Sequence, residues 1–353
     1  MRFIAAKNLK PGMLVGKNFY NNSMCIMLRK GVLLNSSLIK TINRVNIAGL
    51  YIDDELTSDI VLKPLIDDDL KLEFATEVRS IFSSVQTVVK PVTGHMDNIV
   101  KSIIDQISSK PNYMVNMHEL KLFDNYTFQH SINVCILSTV LGHAQKLSDN
   151  QINNLALAAV YHDIGKMFID QRIINKPGPL TDEERAIVKK HPLLGIEYLR
   201  KLDMKRSDVL EGVFRHHERF DGMGYPSGLA GENIGIFGKI IALTDVFDAI
   251  TSNRAYLTAL LPSEAVEYIM ANAGQHFDPE LTQLFVNNIS AYPIGVTVRL
   301  SNGLVGVVAE NYTGYTMRPL VKILPGDPKE RPYFINLRGD PAAKSVTIVG
   351  VIS

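Results

Sequence analysis

Seven side chains between residues 130 and 245 are of the kinds that hold transition metals: His130, His162, Asp163, His191, His216, His217 and Asp245. The adjacent His162 and Asp163 offer an imidazole nitrogen and a carboxylate to one point in space, a donor pair suited to a hard-to-borderline ion. Taken singly, most of the seven have an ordinary explanation. A histidine on an apolar helix, such as His130 or His191, is commonly a hydrogen-bonded core residue, and a His doublet at a helix end is commonly solvated. Asp245 resists that reading, because it lies inside the apolar run IIALTDVFDAI, where an unpaired carboxylate is costly. Asp248 follows three residues later on about the same helix face. Five of the nine histidines belong to the set. One metal rarely takes seven nitrogen and carboxylate donors; two metals bridged by Asp163 would use them and leave positions for water. With no thiolate in the set, Fe, Mn, Ni or Zn in mixed His and carboxylate coordination is expected, not a structural zinc.

Helices must position these groups. From about residue 111 to 290 the spacing predicts an almost entirely helical domain of seven or more helices, and bundles of this kind build metal sites from inward side chains on several helices. Tyr126 to Leu147 places Phe128, Ile132, Cys135, Ile136 and Val140 on one face, and Gln151 to His162 is apolar nearly all round, which predicts a central helix. Thr181 with Glu184 forms a capping-box signature. Ser207 and Ser263 are expected N-caps, and Asp278-Pro279 gives an N-cap followed by proline at the first helical position. Upstream, residues 61–110 read as two connecting amphipathic helices, with Leu70, Phe74, Val78, Ile81 and Phe82 at helical spacing in the first and Met96, Val100, Ile103 and Ile107 in the second.

The flanks differ in pattern. Residues 1–60 predict a small N-terminal α+β accessory module, with a helix starting at Ser36 or Ser37 and a strand at Leu50-Tyr51-Ile52. Residues 292–353 alternate apolar and polar positions around Ser301-Asn302-Gly303, a hairpin signal, and predict a small C-terminal β unit, a barrel or sandwich. The expected fold is therefore mainly α, a helical bundle between two small units, with the central domain over 111–291. A net charge of +1 in 353 residues gives no single-signed field that would attract a nucleic-acid polymer. Cys25 and Cys135 are the only cysteines, so a disulfide framework is not expected. No run reaches the length of a membrane span and the N-terminus lacks a signal-peptide core, so a cytoplasmic protein without membrane partners is expected.

The order of these residues resembles the HD-GYP family, the branch of the HD metal-dependent phosphohydrolases named for a His-Asp pair and a Gly-Tyr-Pro loop. The resemblance runs over about residues 124–286. It is carried by His130, the pair His162-Asp163 with Gly165-Lys166, His191, the stretch HHERFDGMGYP, the run IALTDVFDAITSNRAY and the stretch HFDPELTQLF. It implies hydrolysis of cyclic di-GMP to linear pGpG, and in many members onward to GMP. Carried over, His130, His162, Asp163 and Asp245 would hold one divalent ion, while Asp163 bridges to a second held by His191, His216 and His217. Fe or Mn comes first, with Ni or Zn also compatible. Two such ions would acidify a water and polarise the phosphate. Lys166 would neutralise phosphate charge, Arg254 would bind phosphate, and Asp248 would orient a ligand or that arginine.

The loop Asp221, Gly222, Gly224, Tyr225 and Pro226 would sit beside the doublet, and in the family it is discussed as a contact surface for diguanylate cyclase domains. Two departures bear on this. Members with a third metal carry a Glu four residues before the first His ligand, where this chain has Tyr126, so two ions are expected. Many members carry a basic residue three after the arginine, where this chain has Leu257, which puts substrate affinity or the second hydrolysis step in question. Another cyclic dinucleotide such as cyclic GMP-AMP, or a non-catalytic nucleotide-binding signalling module, stays open as an alternative, as does a homodimer.

Overall fold

The computed structural model describes residues 1–20, 25–45, 47–85, 93–110, 113–120, 126–252, 259–327 and 331–352. The chain divides into two compact units, one formed by Met1–Pro64, Met114–Asp124 and Ile289–Ser353, the other by Leu65–Tyr113 and Asn125–Asn288.

In the first unit, β1 (Arg2–Ala5) and β2 (Leu14–Val15) flank β5 (Gly49–Asp53) in an antiparallel sheet, and β3 (Phe19–Tyr20) pairs with β4 (Ile26–Leu28). Helix α1 (Ser36–Arg44) starts where the sequence suggested, capped by Asn35, whose side-chain oxygen accepts from Leu38 N at 2.9 Å. Its Ile42 joins Val15, Leu28, Leu34, Leu50 and Ile52 in a small core. Among the described residues the C-terminal β unit is one open five-stranded antiparallel sheet instead of the expected barrel or sandwich. Its order is β10 (Ile348–Val351), β6 (Thr297–Leu300), β7 (Val305–Glu310), β8 (Leu320–Ile323), β9 (Tyr333–Asn336), so β9 and β10 are edges. The Asn302-Gly303 turn joins β6 to β7, with Leu300 N donating to Leu304 O at 2.8 Å. The two ends of the chain meet in this unit: Phe3 N donates to Gly295 O at 2.8 Å, Val115 bridges Ile289, and Lys322 pairs with Asp59 at 2.5 Å.

The second unit is helical. Helices α2 (Asp68–Ser84) and α3 (Thr93–Ser108) bury Phe74, Val78, Ile81, Phe82, Met96, Val100, Ile103 and Ile107. They pack on each other and on α4 (Tyr126–Ala144) and α5 (Asp149–Tyr161). The near-uniform apolarity of α5 has its expected consequence, since every residue from Asn154 to Tyr161 is buried. A capping box between Ser148 and Gln151 starts it. The Thr181–Glu184 box starts α6 (Asp182–Val188), and α7 (His191–Lys201) follows. Helix α8 (Ser207–Arg215) makes no side-chain cap: Arg206, not Ser207, holds the N-cap position. After α9 (Ile236–Thr251), which is buried along most of its length, comes α10 (Pro262–Ala271). Here Pro262 takes the first helical position, so Ser263 lies inside the helix, and Glu264 accepts the Leu261 N–H at 2.8 Å. Helix α11 (Pro279–Asn288) is capped by Asp278, which accepts from Glu280 N and Leu281 N at 2.9 and 3.1 Å. Among the described residues, no helix is long and apolar enough to cross a membrane.

Candidate metal centre

Helix ends and two helix interiors converge on one buried point. His162 and Asp163 directly follow α5, His191 opens α7, and His216-His217 directly follow α8. His130 and Asp245 project from inside α4 and α9. Two groups form. Asp163, His191, His216 and His217 bring ligand atoms within 4.8 Å of one another, and so do His130, His162 and Asp245. Asp163 faces both. Its Oδ2 lies 3.4 Å from His162 Nε2 and 3.8 Å from His130 Nε2, while its Oδ1 lies 3.4 Å from His191 Nε2 and 3.9 Å from His216 Nε2.

Backbone contacts hold these pieces in place. A Cβ on Gly165 would overlap the His191 carbonyl oxygen and come within 2.7 Å of Gly195 N. Only glycine lets the turn after Asp163 lie against the start of α7, and that contact brings His191 beside Asp163.

Three rings are oriented alike. Nδ1 of His162, His191 and His216 donates to the carbonyl three residues earlier, on Ala159, Val188 and Val213, at 2.7, 2.8 and 2.7 Å. That bond puts the proton on Nδ1 and leaves Nε2 as a lone pair directed inward. His130 Nδ1 instead meets Asp248 Oδ2 at 2.7 Å, and Asn133 Nδ2 donates to the other Asp248 oxygen at 2.7 Å. Gln129 donates to Asn133 at 2.7 Å.

The electrostatics fit a cation. Burial lowers the pKa of His191 to about 4 and of His217 to about 3, and holds His216 well below its usual value, so these rings are neutral donors. Burial opposes ionisation of Asp163 and Asp245, yet Lys166 beside the first, and His130 beside the second, keep both carboxyls well below the usual range. Burial likewise opposes charge on His130, but its hydrogen bonds to Asp245 and Asp248 prevail and raise it to about 9. A proton on its Nε2, 3.0 Å from Asp245 Oδ1, stands where a metal would. Among the described residues, His162 Nε2 and Asp163 Oδ1 are buried without a hydrogen-bond partner. His191 Nε2 and His216 Nε2 face each other at 3.2 Å as two lone pairs. Divalent metal would satisfy these groups, and the donor sets of imidazoles and carboxylates fit it.

Lys166 Nζ lies 2.6 Å from Asp163 Oδ2, with its side chain one-third exposed. In the following loop, Asp221 turns away from the centre to Arg219, at 3.1 and 2.6 Å. A Cβ on Gly224 would overlap Arg219 N and come within 2.6 Å of His217 O, and Gly222 makes no comparably close approach. The Tyr225 ring stacks on His217 with centroids 4.6 Å apart, and Pro226 follows through a cis peptide bond. Arg254 and Leu257 lie outside the described residues. Tyr126 is the first residue of α4, one turn before His130.

Two polar residues of the site, Gln129 and Asn133, carry no motif weight in the sequence, and Glu218 lies within the HHERFDGMGYP stretch without a role read for it. The first two could have been noticed as amides one before and three after a histidine in an otherwise apolar helix. Glu218 directly follows the doublet and is 1% exposed.

A family model described as HD domain matches residues 101–281. A cyclic di-GMP phosphodiesterase of Pseudomonas aeruginosa is 39% identical over 231 residues, which cover 65% of this chain and 56% of that protein. A 3'3'-cGAMP-specific phosphodiesterase of Vibrio cholerae is 35% identical over 163 residues, 46% of this chain and 31% of that protein. The chain thus spans about half the length, or less, of the curated relatives it matches. A solved structure of a HDG"Y"P protein from Bdellovibrio bacteriovorus superposes with a TM-score of 0.50 at 17% identity, covering 80% of this chain and 97% of its own, a likeness of fold.

Proposed function

The chain belongs to the HD domain family and carries the motifs of its HD-GYP branch, and from that premise we propose that it is a metal-dependent phosphodiesterase that cleaves cyclic di-GMP to linear pGpG. Residues 111–291 are assigned the chemistry. The observation that carries the reading is the division of the Asp163 carboxylate, one oxygen toward His130 and His162 and the other toward His191 and His216. This supports a site for two ions, with Asp163 shared, His130, His162 and Asp245 on one side, and His191, His216 and His217 on the other. Fe or Mn suits the donors best, since among the described residues neither group includes a cysteine. Bound there, such ions would supply Lewis acidity to the phosphodiester and lower the pKa of a bound water.

The chain's own residues do the rest. The backbone carbonyls and Asp248 orient four of the five imidazoles, those of His130, His162, His191 and His216, so little reorganisation of these is needed when a charged substrate arrives. Burial of the His130, His162, His191 and His216 rings excludes competing water from their side of the site. The Lys166 ammonium, held at Asp163 and one-third exposed, is placed to turn toward a non-bridging phosphate oxygen and offset its charge. Arg254 is assigned to phosphate on motif grounds.

The Vibrio cholerae relative named for 3'3'-cGAMP supports a second substrate reading, because the ligand set acts on a phosphodiester that both dinucleotides share. Protein purified without oxygen and loaded separately with Fe(II), Mn(II), Ni(II) or Zn(II) should bind two ions per chain and convert cyclic di-GMP to pGpG. Asp163→Ala should reduce turnover by at least about a thousandfold, as loss of a group shared by the whole machinery does. Faster turnover of cyclic GMP-AMP would replace the substrate. Two bound ions with tight binding but no turnover of either dinucleotide would leave a signalling module instead of an enzyme.

A further inference from the structure

His217 differs from the other four histidines of the centre. Their side chains are 0–3% exposed and each has Nδ1 fixed, three by a backbone carbonyl and one by Asp248. The His217 side chain is 23% exposed. Among the described residues nothing hydrogen-bonds either of its ring nitrogens; its Nδ1 approaches Asp245 Oδ2 only to 3.9 Å. A ligand imidazole without such a bond is free to rotate about χ2, which weakens the metal it holds.

Three rings touch it: His216 at 4.1 Å between centroids, His191 edge-on at 4.9 Å, and Tyr225, the one from outside the ligand set, stacked on it at 4.6 Å with 26° between planes. Tyr225 is held in turn by the backbone. Its N–H donates to His217 O at 3.1 Å, and Gly224 presses the loop against residues 217–219. Behind the loop stands Glu218, 1% exposed. One of its carboxylate oxygens accepts Ser227 N at 2.7 Å and the other accepts Leu229 N at 3.0 Å. A buried carboxylate satisfied by two backbone donors from one loop fixes that loop tightly.

We infer that Glu218 is a positioning residue: by clamping the loop through Ser227 and Leu229 it seats the Tyr225 ring on His217 and so fixes the orientation of that ligand. It does for His217 what the carbonyls of Ala159, Val188 and Val213 do for the other rings. The inference rests on the metal-centre reading above. Glutamine at 218 is the informative change, because it keeps the shape but offers one good acceptor where two N–H groups need one each.

The test is a Co(II) titration followed by visible absorption, with each ion's affinity fitted. Glu218→Gln should weaken one of two ions by about 10- to 100-fold, the span for loss of an outer partner of a ligand, and leave the other unchanged. In a His217→Ala background the same substitution should add nothing, which a general loss of stability cannot reproduce. Tyr225→Phe should keep wild-type affinities and Tyr225→Ala should match Glu218→Gln; this pair decides by itself should the Glu218 variant not fold. Equal weakening of both ions, full additivity with His217→Ala, or an unaffected Tyr225→Ala overturns the inference. A wild-type chain that binds no ion overturns the metal-centre reading, and the inference with it.

Discussion

A His or Asp at a buried helical position needs a compensating partner, and that partner in turn needs one of its own. Asp248 meets His130 and Asn133 from 118 and 115 residues away, and an Asn or Gln on a helix looks the same whether it faces water or a carboxylate. Asp248→Asn keeps the shape but replaces a charged acceptor of the His130 Nδ1–H by an amide. Metal affinity in the His130, His162 and Asp245 group should fall by about 10- to 100-fold, read by competition with a chelator; an unchanged affinity would mean that Asp248 only fills space. The metal-free protein should also show a pH signature. His191 and His217 have folded pKa values of about 4 and about 3, below the usual 6.5. The unfolded chain therefore binds more protons in that window, and stability falls as pH drops from 6.5 toward 3. His130 has the opposite sign: raised to about 9, its contribution is complete below 6.5 and is lost as pH rises through 9. Denaturation midpoints of the metal-free chain should decline on both sides of about pH 6.5, with the alkaline decline reduced in Asp248→Asn. A midpoint that keeps rising through pH 9 would contradict the assignment.

Elements were read best where the signal was local. The Thr181–Glu184 box and the Asp278 cap act over three residues, so their chemistry is complete in the sequence. Ser207 and Ser263 failed as caps because a serine signals a cap only if the chain turns there. Pro262 sets the first helical position one residue before Ser263. The join between the turn after Asp163 and α7 was legible only as a glycine in a motif. Its physical reason, the overlap a Cβ would make with His191 O, needs the partner helix in view. Gly165→Ala should move α7 away and cost about 1–3 kcal/mol, as overpacking of a close backbone contact does. It should also weaken the ion assigned to His191, His216 and His217 while sparing the other group. Thermal unfolding of the metal-free chain with a parallel metal titration measures both. A stable variant with both ions intact would mean that the backbone contact is not what seats His191.

At the scale of the whole molecule, the alternation of β6 to β8 was plain in the sequence, but the pairing of the chain's two ends was not. Phe3 with Gly295 and Lys322 with Asp59 are joined across more than 260 residues, and period-two patterning names strands without naming their neighbours. The division into two units bears on what metal binding does to stability. All seven candidate ligands belong to the helical unit, drawn from the ends of α5 and α8, the start of α7 and the interiors of α4 and α9. An ion bound there closes those segments onto one point and stabilises the bound form by about 2.7 kcal/mol per site at a hundred times its Kd. Local opening of α4, α5 and α9 should become rarer by roughly that free energy, about a hundredfold in hydrogen-exchange rate for amides that exchange through it. Amides of β6, β7 and β8, in the unit without ligands, have no reason to share the effect. Exchange followed by mass spectrometry on chelated and Mn(II)-loaded protein separates the two outcomes. Slowing confined to the helical unit places the stabilisation at the ligand-bearing helices, whereas equal slowing of the β strands would show that metal binding acts on the two units as one cooperative body.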